Sequence, residues 1–284
     1  MFVFYFFYLV FRLLISKITL KSFLKDIFRN RHLIAELTKS DFKTNYIGSF
    51  FGLSWIVIQP LVLTFIFWVV FVVGYKANPI EGISFVPWLL CGLLPWNYFS
   101  SCLSINTNII TQSAHLLKKF KFNISLMQIV KILSALIVHI FSLVILIIFF
   151  QVKISPIHIS IYWLQVIYYL IALTFLLWGM SLILGILQVF FKDTTHILSL
   201  ILQMGFFLTP IFWNPHIIPE QYLFLFKLNP LFYIINGYRD SFLYKIPFWS
   251  DINSTIYFWF ATLILFLIGY FLFKKLSPKF ADEL

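Results

Sequence analysis

The side chains able to do chemistry in this sequence are few, and they do not cluster. His32, His115, His139, His158, His196 and His216 share no metal-ligand spacing, and no H-E-x-x-H pair is present. No glycine is followed by lysine, so the chain has no G-x-x-x-x-G-K-[ST] loop with which to cradle a nucleotide's phosphates. No Asp-x-Asp pair is available to hold a metal with a nucleotide-sugar. Cys91 and Cys102 share one apolar stretch and read as small buried hydrophobes rather than a disulfide or metal site. His139 lies in the middle of another apolar stretch, where an ionisable group is a functional candidate; a neutral imidazole donating to a backbone carbonyl is the plainer reading. Lys131, near the end of that stretch, can snorkel to lipid headgroups and needs no partner. With no Asp or Glu in any apolar core, an ion-coupled carrier has little to work with, and a membrane-embedded enzyme is disfavoured.

The elements that must position these residues are set by the solvent. Hydrophobic residues make up 61% of the 284 and charged residues only 11%, far from the mixture of a soluble domain. The expectation is an all-α integral membrane protein. A span needs about 20 apolar residues, and six stretches qualify or nearly do: about 50–74, from about 85 onward with Pro87 and Pro95 inside, 124–150, about 161–191, about 197–212 and about 256–273. The fourth is long enough to tilt. The basic residues sort by side. With the N-terminus inside, Arg12, Lys17, Lys21, Lys25, Arg29, Arg31, Lys39, Lys43, Lys118, Lys119, Lys121, Lys192, Lys274, Lys275 and Lys279 fall within, against Lys76, Lys153, Lys227, Arg239 and Lys245 outside. That asymmetry explains the net charge of +11 without nucleic acid and places both termini in the cytoplasm.

Two apolar segments stand apart. Residues 1–20 are short for a span and read as an interfacial anchor or an extension upstream of the true start. "YLFLFKLNPLFYIINGYRDSFL", between the fifth and sixth spans, is broken by Lys227, Asn229, Pro230 and Gly237, and reads as a pair of short re-entrant helices.

The entry to the first span is unusual. Residues 21–45 place Phe23, Leu24, Ile27, Phe28, Leu33, Ile34 and Leu37 among basic residues at helical spacing, the pattern of an amphipathic helix at the inner interface. Gly48, Ser49 and Gly52 then allow close backbone approach where the chain turns into the membrane; a packing corner in a purely structural helix is the rival reading. Trp55 marks headgroup depth, and Gln59 with Pro60 gives a polar kink. Residues 113–125, "SAHLLKKFKFNIS", form a basic cytoplasmic loop, readable as a topology signal or as a place where a separate motor subunit could push.

Taken together, "NYIGSFFGLSWIVIQPL", "LLKKFKF", "VFFKDTTHILSLILQMGFFLTPIFW", "KLNPLFYIINGYRDSFL" and the ending "SPKFADEL" resemble the permease subunit of ABC-2 type transporters over about residues 25–284. The likeness is to polysaccharide exporters that move O-antigen, capsule or teichoic acid chains, O-antigen exporters most of all. It implies a bacterial inner-membrane homodimer with six spans per chain over 46–284, partnered by two copies of a nucleotide-binding subunit that holds the ATP and Mg. It makes 21–45, with Arg29, Arg31, Lys39 and Lys43, a gate helix leading to the first-span corner at Tyr46, Gly48, Ser49, Gly52 and Trp55. It makes Leu116, Leu117, Lys118, Lys119, Phe120, Lys121, Phe122 and Asn123 a coupling helix. The implied cargo is a lipid-linked glycan in a channel with aromatic walls, for which Trp88, Trp96, Tyr98, Phe99, Trp213 and Tyr233 are candidates.

The chain departs from the family pattern in two places. Asn45 and Ile47 flank Tyr46 where a basic neighbour is usual, and Asn123 stands where the coupling loop commonly has proline. Two other functions stay open on the sequence: export of a drug or small lipid by the same fold, and a polytopic glycan-modifying enzyme.

Overall fold

A computed structural model describes residues 23, 25–47, 52–76, 79–80, 82–113, 125–151 and 157–280, without the side chains of 45–47, 53, 56, 57 and 59. The described residues are helical throughout apart from short turns and one isolated bridge between Ile80 and Ile83. In chain order the helices are α1 (Arg31–Ile47), α2 (Trp55–Phe67), α3 (Phe85–Gln112), α4 (Ser125–Gln151), α5 (Gln165–Phe190), α6 (Thr194–Leu208), α7 (Glu220–Lys227), α8 (Pro230–Arg239) and α9 (Ile252–Leu276). Three of them, α4, α5 with its preceding turn, and α9, are long and apolar enough to cross a membrane.

Each of the six apolar stretches of the sequence contains one helix, and their contacts fix the directions. Phe71 meets Phe85, Tyr98 meets Thr174, Gln128 meets Ser181, Thr195 meets Asn108, and Trp259 meets Tyr168. Thus α2, α4 and α6 run away from the end that carries Lys192, Lys274, Lys275 and Lys279, while α3, α5 and α9 return to it. We call this the basic end. Helix α3 is the hub: Trp88, Leu89, Cys91, Leu93, Cys102, Leu103 and Ile110 are all essentially without exposure.

Small residues set the close backbone approach of α5 and α9. A methyl group on Gly179 of α5 would lie 2.8 Å from the backbone nitrogen of Phe266, and one on Gly269 of α9 would lie 2.8 Å from the carbonyl of Gly179. Such close backbone approach is how helices associate where no water drives them together. Gly179→Ala must push α5 and α9 apart, and we expect it to cost roughly 1–3 kcal/mol, read as a lowered melting temperature in detergent.

The segment between α6 and α9 leaves and rejoins the bundle at the end opposite the basic one. It contains the pair of short helices expected there, α7 and α8. Asn229 caps α8 by accepting from the N–H of Leu231 at 3.0 Å and donates to Thr209 at 2.9 Å, so the Asn-Pro start of α8 is tied to the Thr-Pro break that ends α6. Helix α8 runs into the bundle: Tyr238 reaches His139 of α4, and Phe242 packs edge-on against Phe150.

Asp251 caps α9, accepting from the N–H and the hydroxyl of Ser254 at 3.1 and 2.6 Å. Those bonds hold its carboxyl below the ordinary carboxylate value. Asp251→Ala should cost about 1 kcal/mol. Because the folded-state pKa is depressed, the charged cap's contribution is full above about pH 4 and fades as the pH falls further. The stability gap between wild type and Asp251→Asn should narrow in that acid range.

Two readings need correction, and a third gains a further reason. Arg239 is not an outer-loop charge: it ends α8 and is 2% exposed. Lys131 does not stand alone, since it pairs with Asp41 of α1. Gly52 adopts a positive φ of 49°, so backbone conformation is a reason for glycine at the corner, beside the close approach expected there. Gly48 and Ser49 lie outside the described residues.

Candidate functional site

A cavity of about 520 Å³ opens between α1, α2, α3 and α4. Its walls follow from helical spacing. Asn97, Ser101 and Ile105 recur every four residues on α3, and Lys131, Ser134, Val138 and Ser142 recur every three or four on α4, so each helix turns one mixed face inward. Trp55, Ile58, Val62 and Leu63 of α2 supply an apolar wall opposite. The result is an apolar chamber with a polar stripe, the usual make-up of a ligand site.

The chamber is bounded at one end by α1. Ile34, Leu37 and Thr38 of its apolar face pack along α4 against Leu126, Val130 and Ser134, while Phe28 and Leu33 remain exposed. Ser134 donates to the carbonyl of Thr38 at 3.3 Å, and Phe42 stacks on Phe141 at 6.3 Å between ring centres. Between them the Lys131 ammonium donates to Asp41; both side chains are more than four-fifths buried and line the chamber. At such depth the pair is close to neutral as a unit, yet each charge depends on the other.

Deeper in, the His139 ring lies between two tyrosines. Its Nε2 is 2.9 Å from the hydroxyl of Tyr238 on α8, and its face stacks on Tyr98 at 5.0 Å. The Tyr98 hydroxyl lies 3.3 Å from Thr174 of α5. His139 is therefore partnered by a hydroxyl rather than by the backbone carbonyl expected, and it joins α3, α4 and α8 at the chamber wall. Nearer the opposite end, the Arg239 guanidinium lies over the Trp88 indole, 3.3 Å from the ring centre, and donates to the carbonyl of Ile211 at 2.9 Å.

The expected site residues divide by location. Trp55 and Tyr98 line the chamber. Trp88, Trp96 and Phe99 are buried inside the chain, with Trp96 edge-on to Phe206. Trp213 donates to the carbonyl of Phe207, and Tyr233 packs on Phe258 near the opposite end. Of α1 and the residues before it, Arg29 pairs with Asp26 and Arg31 lies over Phe28, while Lys39 and Lys43 are exposed. Tyr46 lies on α1, its side chain outside the described set. Leu116, Leu117, Lys118, Lys119, Phe120, Lys121, Phe122 and Asn123 lie outside the described residues.

Sequence reasoning missed Asp41, Asn97, Ser101 and Tyr238. Asp41 was detectable: steps of three and four from Ile34 through Leu37 and Thr38 reach it, so an acid sat in register with the apolar face. Among the described residues, no three His, Cys, Asp or Glu side chains converge to hold a metal. The groups on the chamber wall, a paired lysine, hydroxyls, an amide and aromatic rings, can bind and orient a ligand.

Comparison with known proteins agrees with this picture. The chain is 27% identical over 254 residues, 89% of its own length and 95% of the relative's, to the O-antigen export system permease protein RfbA of Klebsiella pneumoniae. It is 24% identical over 265 residues, 92% of its length and 98% of the relative's, to the RfbA permease of Myxococcus xanthus. Residues 32–243, from α1 through the break after α8, match the ABC-2 type transporter family, and the chain belongs to that family of membrane proteins.

Proposed function

We propose that this chain is the membrane subunit that passes a lipid-linked polysaccharide, O-antigen foremost, across the bacterial inner membrane, driven by ATP hydrolysis in a separate subunit. The observation that carries the reading is the correspondence, over about nine-tenths of both chains, with permeases named for O-antigen export. The chamber supports it. An amphiphile with a glycan head needs an apolar wall beside a hydroxyl-bearing stripe, and the chamber has both.

In this reading the six apolar helices are six spans, the basic end faces the cytoplasm with both termini, and two copies assemble with two ATPase subunits that hold ATP and Mg. The segment Leu116–Asn123 docks on the ATPase as a coupling helix. Closure of the ATPase pair moves α4, which the loop precedes directly, and α4 carries α1 with it through Lys131 and Asp41. The chamber, shared by α1, α2 and α4, then changes shape. Glycan rings slide along aromatic side chains, which give broad contact without fixed hydrogen bonds.

The test is genetic. Cells lacking the chain should keep their glycan inside, seen as loss of the polysaccharide ladder from the surface and its build-up in the cytoplasm, and the wild-type gene should restore it. Normal surface polysaccharide with altered drug sensitivity would overturn the reading in favour of a small-molecule exporter.

A further inference from the structure

At the end opposite the basic one, away from the chamber, a second cavity of about 140 Å³ lies among α5, α7, α8 and the start of α9. It is smaller than the several hundred Å³ typical of drug-sized sites. Tyr169, Tyr233, Phe248 and Tyr257 supply ring surface, and Asn236 and Asp240 supply polar groups between them. Ring faces beside amide and carboxylate groups suit a pyranose, whose C–H faces are apolar and whose hydroxyls radiate in the ring plane.

The rings are held in place. The Tyr233 hydroxyl is 3.0 Å from that of Tyr168 and 3.0 Å from that of Thr255, and Trp259 donates to Tyr168 at 2.8 Å. Tyr257 donates to the carbonyl of Leu228 at 2.7 Å, which fixes its ring at the rim. Such bracing removes ordering cost from binding. The Asn236 side-chain amide, by contrast, makes no hydrogen bond among the described residues, and it lines the cavity with two donors and an acceptor to offer. Charge decides the sugar type. Lys227, Asp240 and Asp251 all line the cavity, a single net negative charge, which disfavours uronic acids and phosphorylated sugars.

We propose that this cavity is a saccharide subsite that takes one neutral pyranose ring of the glycan as the chain emerges. The proposal rests on the glycan-export reading above. Engagement there would hold the emerging chain against backsliding between strokes.

The experiment uses the full-length chain in nanodiscs and polysaccharide released from lipid by mild acid from the surface of the cells that express it. Saturation-transfer difference NMR should show transfer to ring protons. Asn236→Leu should weaken binding about tenfold, the loss of one or two good hydrogen bonds. Tyr257→Ala should weaken it comparably and Tyr257→Phe clearly less, because the phenylalanine keeps the ring that faces the sugar and loses only the bond to Leu228 that braces it; the Tyr257 pair decides the matter if Asn236→Leu does not fold. No transfer to the wild type, or equal binding by wild type and Tyr257→Ala, overturns the subsite. The deletion strain separates the two claims: if it loses surface glycan while the cavity fails to bind, the subsite is wrong and the export reading stands.

Discussion

Arg239→Ala should be the most damaging single substitution in this chain, lowering stability by about 3–5 kcal/mol and abolishing export. The residue is 2% exposed, and its guanidinium lies 3.3 Å from the centre of the Trp88 ring and donates to the Ile211 carbonyl at 2.9 Å. A desolvated cation–π contact contributes about 2 kcal/mol, and a charge-assisted hydrogen bond about 1.5–3 kcal/mol. Three elements meet in this one side chain: the start of α3, the break after α6 and the end of α8. Gly92 leaves the room for it, since a methyl group there would lie 3.0 Å from the guanidinium. Arg239→Lys should fare little better than alanine, because a point charge has neither the plane to stack nor the fork to reach the carbonyl. Arg239→Met, which keeps volume without charge, should recover part of the loss. Thermal unfolding of the purified variants measures the order; an alanine variant that melts with the wild type would show that the residue is dispensable.

The second large effect concerns Lys131 and Asp41. Removing either partner takes the opposite charge away from a mostly buried one, and we expect Lys131→Ala or Asp41→Asn to cost roughly 2–4 kcal/mol of stability. The functional loss should be greater than the structural one, because the pair ties α1 to α4 beside the chamber. Export should fall tenfold or more even in variants that accumulate normally. Exchange of the two residues, Asp41→Lys with Lys131→Asp, should restore much of both, since the tie depends on opposite charge rather than on which helix carries which sign. A double exchange as inactive as the single variants would contradict this role.

Much of the fold was legible because a membrane solvent leaves few choices. Apolar stretches of sufficient length must be helices, and each of the six contains one. The broken segment after α6 showed its two short helices through Asn229 and Pro230, whose capping chemistry is local. The site was harder to read, for a physical reason: its contacts join residues far apart in sequence. His139 was visible as an anomaly, but Tyr238 as its partner depended on α8 running back into the bundle. Arg239 was counted with the outer charges because the counting rule assumes that charge seeks water, and an indole face with a carbonyl satisfied it instead. Lys131 was excused from needing a partner by the length of its stem, although α1 brought an acid to it. In each case local sequence showed the residue and only tertiary packing showed what it met.

The central claim is that the chain is a passage worked by another protein. Reconstitution in liposomes with lipid-linked glycan tests it most directly, comparing this chain alone with the chain plus its ATPase subunit. The account predicts ATP-dependent appearance of glycan on the far side only when both are present, and loss of that transport when ATP is replaced by a non-hydrolysable analogue. Transport or modification of the glycan by the isolated chain would contradict it.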